Sequence, residues 1–337
     1  MWERFGDFGI KMKILNFKLV PMKYTDIFPI PAASAVCYSG YRAGQVPGVA
    51  FPSYSQVKED LLIVQQHWSY IRLYSCDAHS KTVLEVIEKE KLELKVMLGA
   101  YIIAEENNHN CPWGGGVYSE ETLQKNRVNN QSEINKLIEL ANKYAPIIFS
   151  LSVGNEACVE WTDHMVPVER VIAYVKQLKA ATNQPVTFCE NYVPWLDKLA
   201  PLVEEVDFIS IHTYPLWEYK TIEEAIAFTK ENYQAVAQRY PHKLVVITEA
   251  GWASTSNGKG IPREHANPVF QKIYYQELSR WSEEDCILTF IFEAFDEPWK
   301  GSDDPDEPEK HWGLYYENRS PKLALKKKTA YKSELAT

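Results

Sequence analysis

Six cysteines in 337 residues are few, and none stands in a CxxC pair or another tight ligand spacing. Structural zinc sites need such spacing, so the chain offers no zinc motif. Cys37, Cys76, Cys111, Cys158, Cys189 and Cys286 are even in number, which permits disulfides without implying them in a chain this long. No apolar run approaches the ~18 residues of a membrane span. The first 30 residues lack the continuous apolar stretch and small-residue cleavage site of a secretory signal. Read as complete, this head implies a cytoplasmic protein. Read as truncated, it leaves a secreted or periplasmic one open. Met12 and Met22 offer alternative starts, so residues 1–30 are assigned to an N-terminal extension of uncertain order. Basic charge is also short, with 36 Lys and Arg against 45 Asp and Glu and a net charge of −9. A nucleic-acid partner needs a basic face to release counterions, and a neutral ligand does not. No Gly-rich phosphate loop follows the first apolar run, which argues against a dinucleotide fold.

What the chain has in quantity is apolar and aromatic matter. Apolar residues reach 45%, enough to fill one barrel domain of ~250 residues with extended loops. Ten Trp and 20 Tyr can fill a large core or serve a ligand, since sugar rings present apolar C–H faces on which indole and phenol rings pack. Eight apolar runs read as buried strands: 33–38, 70–74, 94–100, 147–153, 185–189, 207–212, 244–248 and 287–292. Helical periodicity lies between them. Val57, Leu61, Val64 and Trp68 share one face, as do Val168, Val171, Ile172, Val175 and Leu178 after Pro167, a residue suited to a first helical turn. Ser132 to Tyr144 reads as another helix, and Thr221 with Glu224 has capping-box spacing. Strand–helix alternation repeated eight times predicts a single (β/α)8 barrel over residues 31–337.

Two of the runs end in a lone glutamate, in Ser152-Val153-Gly154-Asn155-Glu156 and Thr248-Glu249-Ala250-Gly251-Trp252. A carboxylate just past the C-terminal end of a barrel strand is poorly placed for packing and well placed for chemistry. These would be strands four and seven. Two such glutamates are what glycoside hydrolysis needs, one to protonate the leaving oxygen and one to attack or to activate water. Asn155 can bond the sugar 2-hydroxyl beside the reacting carbon. Arg72, at the end of the second run, can brace a carboxylate and keep it ionised. His212, before a Tyr-Pro turn, reads as a hydrogen-bonded wall residue. No Ser-His-Asp order stands out, which disfavours acyl transfer. Loop residues Trp161, Trp217, Trp299 and Trp312 are candidate stacking platforms. The acidic stretch 301–309 lacks an EF-hand pattern and reads as a solvated loop.

From about Ala35 to Pro321 the chain resembles glycoside hydrolase family 17, β-1,3-glucanases with acid/base and nucleophile on barrel strands four and seven. The resemblance rests on Val153-Gly154-Asn155-Glu156, Thr248-Glu249-Ala250-Gly251-Trp252, Ile71-Arg72-Leu73-Tyr74 and Phe295-Asp296-Glu297 with Lys300. Gly40-Tyr41-Arg42-Ala43-Gly44-Gln45 and Cys111-Pro112-Trp113-Gly114-Gly115 resemble bacterial members acting on laminarin-type glucans. The resemblance implies Glu156 as acid/base and Glu249 as nucleophile. It implies Asn155, Tyr74, Tyr214, Arg72, Glu297, Lys300, Trp252, Trp217 and Trp299 as substrate-side residues. Ala250 and Ala253 depart from the plant pattern, which has a hydroxyl residue and a proline there, and that weakens any inference of plant-like endo action. The expected activity is retaining hydrolysis of β-1,3-glucan without metal or cofactor and without a nucleic-acid or membrane partner. The alternatives are transfer of the glycosyl group to a sugar hydroxyl, or a non-catalytic glucan-binding barrel.

Overall fold

The computed structural model describes residues 22–326. The eight apolar runs all become strands: β1 Ala35–Cys37, β2 Tyr70–Leu73, β3 Lys95–Ala100, β4 Ile148–Asn155, β5 Val186–Asn191, β6 Ile209–His212, β7 Val245–Ala250 and β8 Thr289–Ile291. Each is parallel to the next, and β8 pairs back onto β1 through Ala35 opposite Phe290, closing the barrel. Parallel strands covered on both faces are apolar throughout, which is why they read as continuous runs rather than alternating ones.

Strand ends differ from the sequence reading by one or two residues, and β1, β2 and β8 stop one residue earlier than read. β4 and β5 each run two residues further, through Asn155 and Asn191. The reading stopped at the last apolar side chain, whereas the backbone ladder continues into the polar mouth. Register breaks also gather there, between Ser152 and Asn155, Ile211 and His212, and Ile247 and Ala250. Such irregularities re-aim side chains at the rims of barrels. Here they fall on the three strands that carry Glu156, His212 and Glu249.

Helices 54–64, 78–90, 120–143, 168–181, 222–239 and 268–284 form the outer layer. The helix expected from Ser132 begins at Glu120, where the Ser119 hydroxyl accepts a bond from the Thr122 amide at 3.2 Å. Its first half buries asparagines on the inner face. Asn126 donates to the Ala104 carbonyl and Asn130 to that of Ile103, both at 2.8 Å, so apolar periodicity could not reveal it. Trp68 lies beyond its helix, which stops at Val64, and Pro167 is the N-cap rather than a first-turn residue. Thr221 does start a capping box, its amide donating to Glu224 at 2.9 Å.

The bottom of the barrel is plugged from outside the strand set. Phe28 follows a short helix, Tyr24–Ile27, and is buried edge-on against Phe149 and Phe208, with ring centroids at 5.6 and 4.9 Å. Tyr24 donates to the Pro31 carbonyl at 3.2 Å, and Tyr70 at the start of β2 donates to the same oxygen. Residues 22–30, assigned above to the extension, thus close the N-terminal end of the barrel. Residues 1–21 of that extension and residues 327–337 lie outside the described residues. Phe28→Ala should destabilise the domain by about 3–5 kcal/mol, the range for truncating a well-packed aromatic side chain. Urea unfolding followed by tryptophan fluorescence would measure it, and a shift under ~1 kcal/mol would remove Phe28 from the core.

Candidate active site

Backbone geometry sets the two glutamates before any side chain acts. Gly154 sits at φ +75°, and a Cβ there would meet the Ile102 side chain at 2.9 Å. Glu156 itself holds φ +48°, in the left-handed region that costs a non-glycine residue roughly 1–2 kcal/mol. Its amide donates to the Cys189 carbonyl at 3.0 Å, holding the turn. On β7, Gly251 passes so close to Phe292 that an added Cβ would lie 2.0 Å from the carbonyl oxygen. No other residue type fits next to Glu249 at that point.

Arg72 is the pivot beneath both glutamates. It is 1% exposed and donates through Nη1 to Glu249 Oε1 at 2.5 Å and through Nη2 to Asn155 Oδ1 at 2.6 Å. Its Nη1 also reaches the Thr248 carbonyl at 3.2 Å, and its guanidinium stacks 4.4 Å from the Tyr74 ring centre. Tyr214 donates to the other Glu249 oxygen at 2.5 Å. Burial by itself would raise the Glu249 pKa. The His212 and Arg72 charges and the bonds from Tyr214 and Arg72 outweigh it and hold the carboxyl down to about 2. Glu249 is therefore an anion across the neutral range, with a side chain only 7% exposed.

His212 joins the two carboxylates. Its Nδ1 lies 2.8 Å from Glu156 Oε1 and 3.6 Å from Glu249 Oε2. Burial opposes its charge, but the field of Glu249 and its bonds to Cys189 and Glu156 push its pKa up to about 10. As a cation it donates from Nδ1 to Glu156. The two carboxylate oxygens nearest that nitrogen stand apart by at most the sum of those distances, about 6.4 Å. Glu156 is the more open of the pair, its side chain 26% exposed.

A cavity of about 630 Å³ opens beside Glu249. Its lining includes Tyr74, Asn155 and Glu249, with Tyr41, His79, Glu297, Trp299 and Lys300. Titratable side chains past the end of β8 flank it, and of these Glu297 and Lys300 line the wall. Lys300 donates to Glu293 at 3.0 and 3.2 Å and pairs with Glu297, while the Trp299 indole donates to Glu297 at 3.0 Å. Burial pushes the Glu293 carboxyl well above its usual range, aided by the charge of Glu297. Glu297 goes the other way, since Lys300 overcomes its burial.

A family model for the BtgE/BtgC glycoside hydrolase domain matches residues 35–313, a span holding all eight strands and both glutamates. The chain belongs to the BtgE/BtgC glycoside hydrolase domain family. Among its relatives is a probable glucan endo-1,3-β-glucosidase of Aspergillus terreus, 25% identical over 299 residues, covering 82% of this chain and 42% of that protein. The chain thus spans about two fifths of the length of the curated relatives it matches. An endo-laminarinase from Formosa superposes with a TM-score of 0.74 at 27% identity, covering 88% of this chain and 86% of that one. A glycoside hydrolase family 17 β-1,3-glucanosyltransferase from Rhizomucor miehei, at 21% identity, shares the fold with a TM-score of 0.66 over 87% of this chain and 96% of that one.

Within this hydrolase domain the structure brings together most residues singled out by sequence. Glu156, Glu249, Arg72, Asn155 and Tyr214 form one bonded group, and Tyr74, Glu297, Trp299 and Lys300 line the adjoining cavity. Trp252 is a correction. Its indole donates to the His265 carbonyl at 2.9 Å and packs on Tyr274 of the outer helix, so it faces the helical layer and not the cavity. The strand ends at Ala250, and the chain past Gly251 turns Trp252 toward the helices. Trp217 is half-buried beside Trp312 at 6.2 Å and is not part of the cavity wall. Trp312 is buried under Tyr214 and Phe292, so it supports the site from below rather than offering a stacking face. Trp161, on the loop after β4, does not line the cavity either.

Three site-neighbouring residues were not singled out from sequence. Glu293 pairs with Lys300. Glu190, fully buried at the end of β5, accepts the Cys158 and Asn191 amides at 2.8 and 2.7 Å, and its burial and the charge of Glu156 push its pKa up to about 8. Their signal was present, since both are carboxylates at strand ends. His79, on an amphipathic helix, gave none.

The paired titrations predict a stability profile. The folded-state pKa of His212 is raised, so its contribution is complete below its ordinary 6.5 and is lost as pH rises through about 10. The folded-state pKa of Glu249 is depressed, so its contribution is present above 4.5 and is lost as pH falls toward about 2. Urea unfolding from pH 8 upward should show an alkaline fall in stability that is smaller in His212→Asn. An identical fall in both proteins would remove His212 as its source.

Proposed function

We propose that this domain is a retaining family 17 glycoside hydrolase that cleaves β-1,3-glucosidic bonds in laminarin-type glucans. The observation that carries the mechanism is the shared His212 contact. Because one His212 nitrogen approaches both, the nearest oxygens of the two carboxylates lie at most about 6.4 Å apart, which fits the close spacing of retaining pairs, ~5–5.5 Å between carboxyl groups. The environments divide the labour. Glu249, buried and held ionised by Arg72, His212 and Tyr214, attacks the anomeric carbon as the bond to the leaving oxygen breaks. Glu156, more exposed and off the cavity wall, gives its proton to that oxygen and then takes one from the incoming water. Asn155, fixed by Arg72, is placed for the 2-hydroxyl. The substrate class is supported by the names of the relatives, glucan endo-1,3-β-glucosidases and an endo-laminarinase.

The stereochemical test is direct. Proton NMR in the first minutes of laminari-oligosaccharide cleavage should show the β-anomer, before mutarotation. An initial α-anomer would overturn the double displacement. Adding excess oligosaccharide acceptor then separates water from sugar as the second nucleophile, since longer products at the expense of reducing ends would assign the domain to transfer.

Glu249→Ala should lower turnover by several orders of magnitude with the fold intact by circular dichroism. Azide should restore part of the activity on an activated aryl glycoside and release the inverted glycosyl azide, because the anion fits where the carboxylate was. Substantial activity without azide would move the nucleophile elsewhere.

A further inference from the structure

The turn that carries Glu156 is held by more than the barrel ladder. β4 ends at Asn155, so regular strand pairing stops where Glu156 takes its left-handed φ of +48°. A non-glycine residue keeps that conformation only where its surroundings over-determine it. Two consecutive residues of β5 supply the restraint. The Cys189 carbonyl accepts the Glu156 amide at 3.0 Å, and the Glu190 carboxyl accepts the Cys158 amide through Oε2 at 2.8 Å. The second Glu190 oxygen, Oε1, accepts the Asn191 amide at 2.7 Å, which pins the carboxyl to its own strand. Lys198 holds the same turn by its carbonyl, its Nζ donating to the Cys158 oxygen at 2.7 Å.

Glu190 is 0% exposed and does not line the cavity, so it is not itself a substrate contact. A carboxyl in that setting is costly, and an apolar side chain would fill the space without the penalty. An apolar residue could not accept two backbone N–H groups at once. Glutamine could not either, since its amide has one acceptor oxygen and would turn an NH2 group toward the second donor. Burial and the charge of Glu156 both push the Glu190 carboxyl up, and the Cys158 and Asn191 amides pull it down. The two carboxyls therefore stand within each other's field. Glu190 ties the turn to β5 through a bond geometry that takes both oxygens of one carboxyl.

We propose that Glu190 is a positioning residue for Glu156, fixing through the Cys158 amide the turn from which Glu156 reaches the leaving oxygen. This rests on the functional reading above. The test compares Glu190→Gln with the unaltered protein by kcat/KM on two substrates. One is a laminari-oligosaccharide, whose leaving group needs a proton; the other is a dinitrophenyl β-laminarioside, whose leaving group does not. A displaced acid should lower the first roughly 10- to 100-fold, as misplacement by about 1 Å does, and leave the second within about threefold. Azide should also raise kcat of the variant on the aryl substrate. It attacks the anomeric carbon of the glycosyl-enzyme without help from a base, the bond to Glu249 breaks, and β-glycosyl azide leaves. A merely structural role would lower both substrates alike, or neither, without an azide effect, and either result overturns this proposal alone. No cleavage of either substrate by the unaltered protein overturns the functional reading and this proposal with it. A readout that leaves Glu190 in place is exchange of the Cys158 amide with deuterated solvent, followed by nitrogen-15 NMR of the unaltered protein. Exchange should be slowed more than about 100-fold relative to an unstructured chain, and weaker protection overturns the clamp.

Discussion

A buried guanidinium governs this molecule. Arg72 has almost no access to water, so its charge must be met inside the protein. It is met by Glu249 from β7 and by Asn155 from β4, which ties three strands at the barrel mouth to one side chain from β2. Leaving such a charge without its partner costs roughly 3–5 kcal/mol, so stability and chemistry are coupled here. The same contact that secures the barrel mouth keeps Glu249 an anion and orients Asn155.

Around that pivot, local backbone devices do the aiming. The left-handed turn at Glu156, the close passage of Gly251 under Phe292 and the register breaks on β4, β6 and β7 all lie at one end of the sheet. The opposite end is sealed by packed rings around Phe28. A barrel can hold strained, polar residues at its mouth because the remainder of each strand is an apolar ladder that over-determines their position.

The two carboxylates differ in role because they differ in surroundings. Glu249 is enclosed by donors and cations. Glu156 pairs with His212 and faces solvent more freely. The cavity follows the same asymmetry, since it adjoins the nucleophile and continues over the ends of β1 and β2. Glu297 and Lys300 on its wall pair with each other, which suits a neutral polysaccharide better than an ionic ligand.

The sequence by itself determined the barrel, the eight strands and the two strand-end glutamates, because buried parallel strands are continuous apolar runs and a lone carboxylate ending such a run has no packing role. It also made Arg72, Asn155, Tyr214 and the Glu297–Lys300 pair visible, since each sits at a strand end or in a family motif. It misplaced Trp252, because that residue lies beyond the end of β7, where the chain turns to pack its indole on Tyr274 of the outer layer. It missed the asparagine-lined start of helix 120–143, whose buried face is satisfied by hydrogen bonds rather than by apolar contact. Only the tertiary structure decided that His212 touches both glutamates and that His79 borders the cavity. Those relations join residues from different strands, helices and loops, and nothing local in the chain encodes a distance between strands that meet only when the barrel closes.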